Sequence, residues 1–149
     1  MDAAFYNAFL SDYANILRRF QSRFHQSNCT ALACALDTYF STGNITRASG
    51  ITSADGYIQT GGTPLVPLGL INIINTVRGR ANGNHLVIEA ENAGGVRHHF
   101  ANLIKIGPTN VYYVDGFDTH RPICSINISE HLGWASIFHY STEMRVRIA

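Results

Sequence analysis

Hydrophobic side chains recur at steps of three and four through the first part of the chain. After His85 they give way to short runs of β-branched and aromatic residues, and this change of period restricts the fold more than any other feature. Phe5, Phe9, Tyr13, Ile16, Leu17, Phe20 and Phe24 keep the helical step with Asp12, Arg18, Arg19 and Arg23 between them, which predicts one amphipathic helix from about Ala3 to Phe24. Its aromatic content reads as core and not as a base-stacking platform. A polar break, His25-Gln26-Ser27-Asn28, supplies caps for a second helix beginning at Cys29, with Leu32, Leu36 and Phe40 near one face and Gly43 at its C′ position. From Asn44 to Thr63 glycine, serine and threonine break any period, so a long surface loop with at most one short strand is expected. Pro67 suits the first turn of a third helix running to Gly79.

The rest predicts strands: Leu86 to Ile88, Arg97 to Ile106, Val111 to Asp115, Ile123 to Ile128, Ser136 to Tyr140 and Arg145 to Ile148, with Leu132 to Ala135 as a turn or a single helical turn. Gly107-Pro108-Thr109-Asn110 joins the second and third of these as a hairpin. Helices first and an antiparallel sheet after make an α+β fold, and 149 residues at 46% hydrophobic content suit a single domain, 1–149.

A formal net charge of +1 with 14% charged residues gives no broad basic footprint for nucleic acid. No apolar run approaches the roughly 18 residues of a membrane span, and Met1 to Phe5 lack the basic flank and apolar core of a secretory signal. Three cysteines do not form a disulfide framework. Cys29 and Cys34 are separated by about 7.5 Å of helical rise and about 140° of rotation, so Cys34 belongs to the core and reduced thiols are expected. Without CxxC or HExxH spacing, neither a metal nor another cofactor is expected, and His25, His85, His120, His131 and His139 read as surface or structural residues.

Cys29 stands where a thiol ionises most easily, at a helix N-terminus, whose free N–H groups and dipole favour the thiolate. Taken alone it reads first as a small buried apolar residue, and only its capped position together with the histidine and aspartate of the hairpin turns the reading to a nucleophile. In the predicted hairpin an odd-length connection centred on Gly107 sets His99 directly opposite Asp115; an even-length one favours His98 as the alternative base. Gln26 and Asn28 are the nearby amides that could join the Cys29 N–H as oxyanion donors.

A cysteine on a helix N-terminus, a histidine on a strand and a carboxylate on the next strand is the papain-like arrangement. Asn28-Cys29, Cys34-Ala35-Leu36-Asp37, His99-Phe100-Ala101-Asn102-Leu103-Ile104 and Val111-Tyr112-Tyr113-Val114-Asp115-Gly116 resemble the papain-fold toxin domains, the glutamine-deamidase-like family of bacterial polymorphic toxins and effectors. The resemblance covers roughly residues 27–41 and 97–117. It implies a Cys29-His99-Asp115 triad performing acyl transfer on a protein substrate in a target cell, with glutamine deamidation as the first expectation. It also implies export through a bacterial secretion system without a cleaved signal, action in the target-cell cytosol and a cognate immunity protein. Cysteine proteolysis, transglutaminase-type transfer and a non-catalytic papain-like binding module are the alternative expectations, since one triad serves the first two chemistries as well as deamidation.

Overall fold

A computed structural model of the chain describes residues 2–20, 29–46, 57–62, 64–95, 97–116 and 123–148, with the side chains of 57–62 and 144–148 left aside. The fold is α+β: helices cover both faces of a five-stranded antiparallel sheet of order β2-β6-β3-β4-β5. Its strands are β2 (Val66–Pro67), β3 (His85–Glu91), β4 (His98–Lys105), β5 (Val111–Val114) and β6 (Ile137–Ser141). A separate antiparallel pair joins β1 (Tyr57–Gly62) to β7 (Met144–Ile148).

The helices are α1 (Ala3–Ser11), α2 (Tyr13–Arg18), α3 (Cys29–Thr42), α4 (Leu70–Arg78) and the single turn α5 (Ile128–His131). The long first helix of the sequence reading is therefore two. Asp12 leaves the helical region at φ −134°, and its carboxylate accepts a 2.7 Å bond from the Asn15 amide, the local side-chain bonding by which aspartate competes with a helical backbone. Residues 21–28, including Phe24 and the expected caps Ser27 and Asn28, lie outside the described residues. α3 ends as expected: Gly43 takes φ +77° and donates its N–H to the Tyr39 carbonyl at 2.7 Å.

Pro67 does not open α4. It pairs with His139 on the edge strand β2, where a missing N–H costs no ladder bond, and Gly69 caps the helix instead. Nor is there a strand from Ile123 to Ile128: Cys124 makes one bridge to Tyr113 before the chain turns into α5.

Alternation along the central strands divides the core. Leu86, Ile88, Ala101, Leu103, Val111 and Tyr113 face α4 and α5, packing on Ile73, Ile74, Val77, Ile128 and Leu132. The other face carries Ile104 and Val114 against Phe9, Leu17, Phe20, Leu32, Leu36 and Phe40, while Val87 and Phe100 pack on Ala33. Two buried polar contacts fix α3 on this face. Asn102 donates to the Ala33 carbonyl at 3.0 Å, and Asp37 holds His85 Nδ1 at 3.0 Å.

Candidate active site

Cys29 is the first residue of α3, His99 the second of β4, and Asp115 follows the last residue of β5. The structure brings the three together. Asp115 Oδ2 lies 2.9 Å from His99 Nε2, and His99 in turn hydrogen-bonds the Cys29 thiol. Because Nε2 is engaged by the carboxylate, Nδ1 is the ring nitrogen available to sulfur, so one imidazole can relay between carboxylate and thiol.

The meeting depends on where β5 stops. By alternation His99 shares a face with Ala101 and Leu103, whereas α3 covers the opposite face. The Lys105 N–H bonds Asn84 on the β3 side, so the even-numbered amides of β4 point toward β5. β5 ends at Val114, which pairs with Asn102, and the Phe100 N–H emerges beyond that end. There it bonds the Cys29 sulfur. The thiol thus sits just past the end of β5, reachable by an imidazole from the far face. Pairing of Asn102 with Val114 places Ala101, not His99, opposite Asp115. The five-residue connection has the odd length that puts His99 on the Asp115 face, but its centre is Pro108 and not Gly107, so the pair is diagonal.

Burial by itself would raise the Cys29 thiol. The hydrogen bond and charge of His99, the Phe100 N–H and the Thr30 hydroxyl outweigh it and hold the thiol below its ordinary value. Thr30 Oγ1 is itself fully buried, with no hydrogen-bond partner of full geometry. Burial would likewise lower His99, but Asp115 and the Cys29 thiol push it up to about 10. Both directions are those of a thiolate–imidazolium pair. The other cysteines are free but differ in kind. Burial, with Asp37 adding to it, pushes the Cys34 thiol up to about 12, and burial also raises Cys124.

His98, the alternative base, turns instead to Glu89, 3.4 Å from its Oε1, with its ring edge-on to Phe100 at 5.1 Å. Gln26 and Asn28 lie outside the described residues, as do His25 and His120. Two groupings escaped the sequence reading. Glu89, Glu91, His98 and His139 gather on the α3 face from three strands, a pairing visible only once register is known. Asp37, His85 and Ser41 form a second hydrogen-bonded chain, with His85 Nε2 3.2 Å from Ser41 Oγ. That chain stands at the C-terminal end of α3, where the free backbone groups are carbonyls and not oxyanion donors, so it works as a clamp between α3 and β3.

No protein-family model, curated protein or solved structure matches the chain.

Proposed function

We propose that the chain is a cysteine-dependent amidohydrolase of the papain-like kind, in which Cys29 is the nucleophile, His99 the acid and base, and Asp115 the group that orients His99. One observation carries the reading: among the described residues, Cys29 is the one thiol bonded to an imidazole, and of the three cysteines it is the one whose ionisation is favoured. The thiolate attacks a carboxamide carbon, and the resulting oxyanion is stabilised by the free N–H groups that open α3. As the tetrahedral adduct collapses, His99 gives its proton to the departing ammonia and a thioester remains. Water then attacks the thioester with His99 taking its proton, releasing a carboxylate and restoring the thiol. With a glutamine side chain as substrate the net change is glutamine to glutamate, and this deamidation of a protein in a target cell is the reading we favour. The family resemblance adds delivery as a toxin or effector and inhibition by an immunity protein.

Incubation of the chain with candidate target proteins, followed by intact-mass and peptide mapping, tests it. A gain of about 1 Da on a glutamine that disappears in Cys29→Ala is the expected result. New termini dependent on Cys29 mean proteolysis in place of deamidation. Iodoacetamide labelling of Cys29 no faster than that of Cys34 and Cys124, unchanged in His99→Ala, overturns the enzymatic reading altogether.

A further inference from the structure

Beside the thiol site, on the face covered by α3, two neighbouring strands bring two carboxylates and an imidazole together, and a second imidazole from the next strand stands against one of the carboxylates. Glu89 is paired with His139 of β6 on one side, and Glu91 with His98 of β4 on the other. Cross-strand partners share a face, so all four side chains project the same way. One oxygen or nitrogen from each of Glu89, Glu91 and His98 lies within 4.8 Å of the others. Glu89 Oε1 is 3.4 Å from His98 Nε2 and 3.3 Å from His139 Nδ1.

Those separations are long for hydrogen bonds between charged groups, which close to about 2.7–2.9 Å. His139 Nδ1 is in fact a buried nitrogen without a hydrogen-bond partner. The 3.4 Å between Glu89 Oε1 and His98 Nε2 matches the edge of a tetrahedron whose centre is about 2.0–2.1 Å from each corner, roughly 3.3–3.4 Å, the geometry of nitrogen and oxygen ligands around zinc. Two carboxylates gathered here also call for a compensating positive charge, and Glu89 is nearly buried. Mixed imidazole and carboxylate donors suit zinc, cobalt or nickel better than magnesium or calcium, which take oxygen ligands. About a quarter of each imidazole side chain stays exposed, 25% for His98 and 28% for His139, which leaves an entry path.

We propose that Glu89, Glu91 and His98 bind one divalent transition-metal ion of the zinc class, with His139 standing behind Glu89 as its outer-shell partner. The ion ties the end of β3 to the start of β4 and thereby steadies the strand that carries His99. It takes no part in acyl transfer, and the inference stands whether or not Cys29 is catalytic.

Cobalt titration of the chelator-stripped chain tests the proposal. The expected result is saturation near about one equivalent, with visible d–d absorption, no sulfur-to-cobalt charge-transfer band and the same curve in Cys29→Ala. Loss of an outer-shell partner costs about 10–100-fold in affinity, so His139→Gln is expected to weaken binding by about that much and Glu89→Gln, a direct ligand, by more than about 100-fold. Circular dichroism of the metal-free variants checks that they fold. If either does not, cadmium-113 resonance on the wild-type chain decides, with a nitrogen-and-oxygen-ligated signal expected. Absence of saturable binding by micromolar cobalt overturns the proposal. So do an affinity unchanged in both folded variants, a thiolate band that vanishes in Cys29→Ala, and a sulfur-ligated cadmium signal.

Discussion

Asp115 reaches His99 diagonally, past the end of β5, and its Oδ2 stands 2.9 Å from Nε2. An acceptor-only carboxylate at that nitrogen requires it to carry hydrogen, which leaves Nδ1 to exchange a proton with the thiol. Asp115→Asn keeps the shape but offers a mixed donor and acceptor, so the opposite tautomer becomes accessible and the imidazolium loses its counter-charge. We expect turnover to fall by about 10²–10⁴-fold with little loss of stability, as judged by steady-state kinetics beside thermal unfolding.

The thiol carries its own pH signature. Because the folded Cys29 thiol is lowered, its thiolate persists as pH falls below the ordinary thiol range, whereas Cys34, pushed up to about 12, and Cys124 stay protonated there. Iodoacetamide labelling is therefore expected to reach Cys29 first at neutral pH, its rate declining only when pH drops through the lowered value. In His99→Ala the limb moves upward, since burial then acts with less opposition. On the proposed mechanism turnover is expected to have an alkaline limb as well, because His99 there holds a proton for the leaving ammonia and loses it as pH rises through about 10. Both profiles are to be recorded with a chelator present, so that no metal bound beside His98 enters the titration. A Cys29 labelling profile coincident with that of a denatured control contradicts the pairing.

Residue type and period made the helices and most strands legible, because buried faces repeat along one element: Leu32, Leu36 and Phe40, or Leu86 and Ile88, declare their side without any partner. What they could not declare depends on contacts between elements. Asp12 breaks its helix through a bond to Asn15 inside an otherwise unbroken apolar stripe. Pro67 fits a helix start as well as an edge strand, and the Leu68 N–H bond to the Phe138 carbonyl beside it is nonlocal. The cysteine, histidine and aspartate were visible as residue types in suitable places. That the thiol would meet the Phe100 N–H beyond the end of a short β5 was not, since strand length is set by pairing. Glu89 and His139 lie fifty positions apart, and only the shared register of β3 and β6 makes them neighbours.

The position of α3 on the sheet rests partly on Asn102, fully buried, whose amide donates to the Ala33 carbonyl at 3.0 Å. Asn102→Ala leaves that carbonyl without this donor and opens a void beside Val114, its cross-strand partner. A cost of about 1–3 kcal/mol is expected in denaturant unfolding. Cys29 sits one helical turn before Ala33, so the same variant is expected to slow labelling of Cys29 relative to the wild-type protein under native conditions.

Gly116 follows Asp115 directly and lies against α3 with no room to spare. A Cβ there would come 2.9 Å from Leu36 Cδ1 and 3.5 Å from Leu32 Cβ, and Leu36 is fully buried. Gly116→Ala must therefore displace either the Leu36 side chain or the backbone that carries Asp115. Overpacking of this kind costs about 1–3 kcal/mol in a dense core. If the backbone yields, Asp115 leaves its 2.9 Å contact and turnover falls well beyond the loss of folded protein. Leu36→Ala removes the obstructing methyl groups, so the double variant Gly116→Ala, Leu36→Ala is expected to regain turnover while remaining less stable than wild type. Kinetics and unfolding measured across this cycle separate the two effects. A turnover loss in Gly116→Ala no larger than its loss of folded protein would place the fault in packing alone and deny Gly116 any part in positioning the carboxylate.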